Sequence, residues 1–177
     1  MRQLHSDTTA FARFFFYNTK IAALWLVVRL YVGWEWMSAG WDKIHDPLWW
    51  GSNAGAPLTG FIQGALQKTT GIHPDVPMWY AKFLFENVLT HVVFWSELVS
   101  IGELLVGVAL ILGFLVGVSA FFGALMNFNY LLAGTVSVNP TFFLLGILLI
   151  LAWRISGYIG LDYYVLPKFS YIFGRRK

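Results

Sequence analysis

NVLTHVVFWSELVSIGELLVGVALILGFLVGVSAFFGALMNFNYLLAG, residues 87–134, is almost unbroken apolar sequence. One helix of that length would run about 70 Å at ~1.5 Å per residue, more than twice the ~30 Å hydrocarbon thickness of a bilayer. The Gly113 region is the natural break, giving two spans of about 87–112 and 114–134 joined by a short neutral turn into an antiparallel hairpin. Working outward, a further apolar segment covers about 21–39 and another about 141–157. The reading is an all-α integral membrane protein, a four-helix transmembrane bundle in one domain.

Composition agrees with that reading. The chain has 177 residues, 58% hydrophobic and only 12% charged, with a mean hydropathy of +0.62. A soluble domain carries about a quarter charged residues, so there are too few charges here for a water-facing surface. Cysteine is absent, which excludes disulfides, thiolate metal sites, cysteine-held iron–sulfur clusters and CxxC relays. The four histidines show no haem or zinc spacing, and no metal site is expected. The net charge of +3 comes with no motif or patch suited to nucleic acid.

Residues 1–20 precede the first span and carry Phe11, Phe14, Phe15, Phe16 and Tyr17 between Arg2 and Lys20, an interfacial approach to the membrane rather than a cleavable signal. Residues 40–85 form a long loop with four of the six prolines and Trp49, Trp50, Trp79 and Tyr80; within it Phe61–Lys68 is a candidate short helix. The tail, 158–177, holds Lys168, Arg175, Arg176 and Lys177. Basic residues at both ends place the termini in the cytoplasm and the loop outside, although Lys43, Lys68 and Lys82 lie in that loop.

A charge at bilayer depth costs roughly 2.5–3.5 kcal/mol on insertion scales, so it faces a partner or a cavity. The first span contains Arg29 and Glu35, the second His91, Glu97 and Glu103, the third Asn127 and Asn129, and the fourth ends near Arg154. Arg29, Gly33, Trp36, Gly40 and Lys43 share one helical stripe. Ser96, Ser100, Glu103 and Gly107 form a second, and Ala120, Gly123, Asn127, Tyr130 and Gly134 a third. These stripes predict an interior in which Arg29 meets Glu103 beside Asn127. Two readings of that pair stand: a functional site, or a buried ion pair that fixes helix register. Glu35 and Arg154 equally read as side chains snorkelling to the interfaces, and His91 as an interface residue.

Specific runs then resemble a known family. GWEWMSAGWDKIHDPLWW (33–50), GELLVGVALILG (102–113), GALMNFNYLLAGTVSVNP (123–140) and GYIGLDYYVLP (157–167) resemble the DoxD subunit of thiosulfate:quinone oxidoreductase, within the wider DoxX-like membrane family. The resemblance implies a four-helix membrane subunit that works with a second, smaller DoxA-like chain. Together they would oxidise thiosulfate to tetrathionate and reduce membrane quinone, with the quinone as acceptor and no haem or metal. On that reading Arg29 and Lys43 neutralise the anion, and Glu35, Glu97 or Glu103 delivers protons. Trp34, Trp36, His91, Asn127, Asn129 and Arg154 are the candidate contacts to substrate or quinone. The alternatives are a non-catalytic anchor or assembly subunit for a redox partner, and a small-solute transporter; a homo-oligomer is also compatible. Paired broken helices, the usual mark of a transporter, are not evident.

Overall fold

The computed structural model describes residues 10–51 and 53–173, and among them every regular element is helical. The order is α1 (Ala10–Tyr17), α2 (Ala22–His45), α3 (Ala56–Gln67), α4 (Met78–Phe83), α5 (Val92–Leu112), α6 (Val116–Leu132), α7 (Asn139–Leu151), α8 (Trp153–Ser156) and α9 (Asp162–Phe173). Arg2 and the basic cluster Arg175–Lys177 lie outside the described residues. Four helices, α2, α5, α6 and α7, run up and down around one core of Trp25, Val32, Trp36, Val106, Leu110, Val116, Ala120, Phe142 and Leu149. The run Met78–Leu112 is long and apolar enough to cross a membrane; Val116–Leu132 and Asn139–Leu151 are shorter apolar helices.

The α2–α5 seam is the closest in the bundle. Cβ atoms added at Gly40 or Gly107 would sit inside the facing helix's backbone, and one at Gly33 would press on Leu110 Cβ at 3.0 Å. Where hydrophobicity no longer separates lipid from protein, small residues of this kind let helices approach and pack. The two helices are antiparallel: Gly40 faces Leu104, Gly33 faces Leu110, and Arg29 faces Gly113. On the other side of the bundle Gly146 of α7 packs on Ala124 of α6 in the same manner.

Several boundaries differ from the sequence reading. The first helix does not stop at 39 but continues to His45, because no breaker occurs before Pro47; Asp46 takes the extended conformation that precedes a proline. Residues 40–85 are not simply a loop. Helices α3 and α4 build a cap with its own core of Leu58, Ile62, Val76, Tyr80, Leu84 and Val88, closed against Ala133 at the end of α6. The short helix placed at Phe61–Lys68 starts earlier, at Ala56, with Pro57 in its first turn. Lys68 fastens this cap by donating from Nζ to the Gly134 carbonyl at 2.7 Å. A π turn, Leu84–Val88, and a 3-10 turn, Leu89–His91, join the cap to α5. The fourth apolar helix ends at Leu151 rather than 157, and the chain turns through α8.

At the opposite end of the bundle, the turn between α5 and α6 is held from outside. Leu115 adopts a left-handed conformation, φ 46°, which is unfavourable for a branched residue. The Asp162 carboxylate accepts from the Leu115 and Val116 N–H groups at 2.6 and 2.9 Å, capping α6. The Asp162 and Leu161 N–H groups in turn donate to the Gly113 and Leu112 carbonyls. Burial pushes the Asp162 carboxyl above the usual range, while these N–H groups and the nearby Arg29 charge pull the other way. Asp162→Ala should therefore lower stability by about 1–3 kcal/mol, the range for losing a cap and orphaning buried groups. The midpoint of thermal unfolding in detergent reads it, and Asp162→Asn should lose less.

Candidate functional site

The bundle interior holds two separate polar groups instead of one. At the cap end, Lys43 Nζ donates to Glu103 Oε2 in a close ion pair. Tyr130 donates its hydroxyl to Glu103 Oε1 at 2.7 Å. Glu103 is 2% exposed and Lys43 keeps 21% of its side chain accessible, so the pair runs from the interior to the surface. Lys43 Nζ also lies 5.0 Å above the Trp49 ring, a cation–π contact that holds the ammonium at the cap. Ser96 donates to the Trp49 carbonyl and Ser100 to the Ser96 carbonyl, continuing the polar line along α5.

The expected Arg29–Glu103 contact is not made. The antiparallel register places Arg29 at the α5–α6 turn and Lys43 beside Glu103, so the two cations are about 21 Å apart along α2 at ~1.5 Å per residue. Arg29 Nη2 donates to the Ile159 carbonyl at 2.8 Å, and the guanidinium packs between Gly113 and Gly160 within the field of Asp162. Arg29 is 1% exposed, with Nε and Nη1 unpartnered among the described residues. It braces the turn and is out of reach of the Lys43 group. A neighbouring surface recess of about 440 Å³ is lined by Arg154, Tyr158, Asp162 and Tyr163.

The other candidate residues scatter. Trp36 is buried against Gly123, whereas Trp34 and Glu35 face outward from α2. Glu97 is half-buried; His91 is exposed and meets Thr90 Oγ1 at 2.9 Å. Asn127 is buried on the inner face of α6, with Nδ2 unpartnered among the described residues. Arg154 is exposed and lies over the Trp153 ring. Asn129 accepts from the Tyr80 hydroxyl through its backbone and side-chain oxygens, at 3.0 and 3.1 Å.

A groove of about 830 Å³ runs between α5 and α6 from the turn at Leu112–Leu115 to the cap. Leu98, Leu105, Val118 and Phe122 are typical of its walls, and Ser119 is a lone hydroxyl near the turn. Its polar groups gather at the cap end, where Tyr80, Asn129 and Tyr130 line it. Tyr130 thus belongs both to the groove and to the buried Lys43–Glu103 pair. Neither Tyr80 nor Tyr130 was a candidate from sequence. The available signal was Tyr130's place three residues after Asn127 on the same stripe, which an isolated helix cannot distinguish from packing.

Apolar helices joined across glycine seams around buried charges are the build of a helical membrane protein. The chain belongs to the DoxD family: the family model described as TQO small subunit DoxD matches residues 24–175. It is thereby placed among the membrane subunits of a quinone-linked oxidoreductase. DoxD is one subunit of a larger complex, so a partner subunit accompanies it. No curated protein and no solved structure matches the chain.

The register makes a quantitative statement about these charges. A double-mutant cycle on Arg29 and Glu103, read by unfolding in detergent, should be additive within ~0.5 kcal/mol, as for sites far apart. The Lys43–Glu103 cycle should return a coupling of about 0.5–3 kcal/mol.

Proposed function

We propose that this chain is the quinone-reducing membrane subunit of a thiosulfate:quinone oxidoreductase, with four spans, both termini cytoplasmic and the cap outside. The observation that carries the reading is Tyr130, which lines the polar end of a long apolar groove while donating to a buried glutamate paired with a lysine. An apolar groove with a few convergent polar groups at one end is the form of a ligand site. An isoprenoid quinone has matching chemistry: a greasy chain for the Leu105–Phe122 walls, and a ring carbonyl that accepts from Tyr130 once Glu103 is protonated and the hydroxyl turns away from it; the Tyr80 proton stays on Asn129.

The reaction balances without a resident metal. Two thiosulfate dianions lose one electron each and form the sulfur–sulfur bond of tetrathionate. The quinone takes the two electrons and two protons to become a quinol. Thiosulfate oxidation releases no proton, so both must come through protein groups or water. Lys43 first gives a proton to the Glu103 carboxylate and is recharged from water at the cap. Protonated Glu103 then donates to the Tyr130 oxygen while the hydroxyl turns its own proton to the reduced quinone oxygen, and the sequence runs twice per quinol. Arg29 has no part in anion binding on this reading, and the DoxA-like partner, a separate chain, brings the donor to the cap face.

Purified protein in nanodiscs, with and without its partner chain, should reduce a short-chain quinone when given thiosulfate. Gly102 lines the groove, and a Cβ there would meet only Met126 Sδ at 3.6 Å. A Cβ is therefore tolerated at 102, and Gly102→Leu should raise the quinone KM several-fold, with the unfolding midpoint read alongside to separate a filled groove from a weakened fold. An unchanged KM would move the quinone elsewhere. Absence of turnover in every arrangement, with the partner present, would favour a scaffold that only anchors the redox partner.

A further inference from the structure

We infer that both protons of quinone reduction enter from the cap side of the membrane, through Lys43, Glu103 and Tyr130, and that no path reaches the quinone from the Arg29 end. The inference rests on the quinone reading above and adds the direction of proton uptake. Three observations carry it. The first is continuity: Lys43 Nζ is bonded to Glu103, and Glu103 to the Tyr130 hydroxyl, so one chain of exchangeable protons links the groove to a partly accessible ammonium. Lys43 meets the surface beside Trp49, at the cap.

The second is the character of the groove below Tyr130. Between Tyr130 and the turn its walls are Leu105, Val108, Leu112, Val118, Phe122 and similar side chains, with the Ser119 hydroxyl near the turn as the exception. Ser119 donates to the Phe114 carbonyl at 3.2 Å and has no titratable neighbour among the groove residues on that side. A proton crossing that length would have to move through hydrocarbon-like surroundings, where a bare charge is unfavourable.

The third is the seal at the far end. Asp162 spends both oxygens on the Leu115 and Val116 N–H groups, and Arg29 is enclosed by Gly113 and Gly160. These charged groups are committed to closing the α5–α6 turn. They stand about 21 Å along α2 from Lys43, at ~1.5 Å per residue, and no bonded chain joins the two among the described residues.

If the donor's electrons also enter at the cap, electrons and protons arrive from the same side, and turnover moves no net charge across the membrane. Oxidation of this donor then contributes to a proton gradient only when the quinol is reoxidised by another enzyme.

The experiment uses the full chain with its partner in proteoliposomes, a pH dye in the lumen and a second dye outside. Ile72 is fully accessible at the cap and the native sequence lacks cysteine, so Ile72→Cys with a membrane-impermeant maleimide reports which way the cap faces. Thiosulfate and a short-chain quinone start the reaction. The expected result is alkalinisation only on the maleimide-reactive side, with two protons taken up per quinol. Glu103→Gln should slow that uptake about 100-fold, the size of a lost proton-transfer group. Glu103→Asp should restore part of the rate and shift the pH profile, which a merely structural role would not do. Quinone reduction with protons drawn from the opposite compartment would overturn the inference while leaving the quinone reading intact. Absence of quinone reduction would overturn both.

Discussion

The contact between α2 and α5 sets everything else in this molecule. Gly33, Gly40 and Gly107 remove the side chains that would keep the two helices apart, so their backbones touch. That contact admits one register. A slip of one helical turn would drive Leu104 or Met37 against a residue with a Cβ and separate Lys43 from Glu103. In lipid, where burying apolar surface gives little drive for association, close packing and buried polar contacts do most of the ordering. The glycine seam supplies the first and the Lys43–Glu103–Tyr130 group the second.

The two ends of that seam do different work. At the turn, Arg29 and Asp162 hold a strained connection: a left-handed Leu115, an α6 N-terminus needing an acceptor, and the Ile159 carbonyl. At the cap, Lys43 stays partly open to the surface, and Tyr130 connects Glu103 to the groove. A buried ion pair is weak evidence for stability, since removing two charges from water costs several kcal/mol per ion. Its position against a groove that already ends in hydroxyls gives Lys43–Glu103 a functional reading that Arg29 lacks. The cap follows from the same division. With its own core it covers the end of the groove that carries Tyr80 and Tyr130 and leaves the lengthwise opening between α5 and α6 free.

Much of this was legible in the residues. Composition identified a membrane-type helical chain, Gly113 marked the break in 87–134, and helical phase identified the stripes that face inward. Arg29, Gly33, Trp36 and Gly40 are all buried, as are Ser96, Ser100, Glu103 and Gly107. A helix carries its own phase, because 3.6 residues per turn fix which side chains share a face. The order of motifs was also sufficient to suggest the DoxD family, to which the match over residues 24–175 assigns the chain.

Which residue on one stripe meets which on the next was decided only by the tertiary structure. Phase tells that Arg29 and Glu103 both point inward, but not that they lie at different depths. Depth depends on the sliding position of α2 against α5, fixed by where glycine permits backbone contact and by the length of the connecting cap. The cap had to fold before that length was known, and its core draws on Ala133 from far along the chain. Asp162 is the same case: its partners at Leu115 and Val116 precede it by more than forty residues, and nothing local announces them. The sequence determined the faces of the helices because that information is periodic and local. The structure decided their register, and with it the identity of the buried pair, because register is a contact between distant segments.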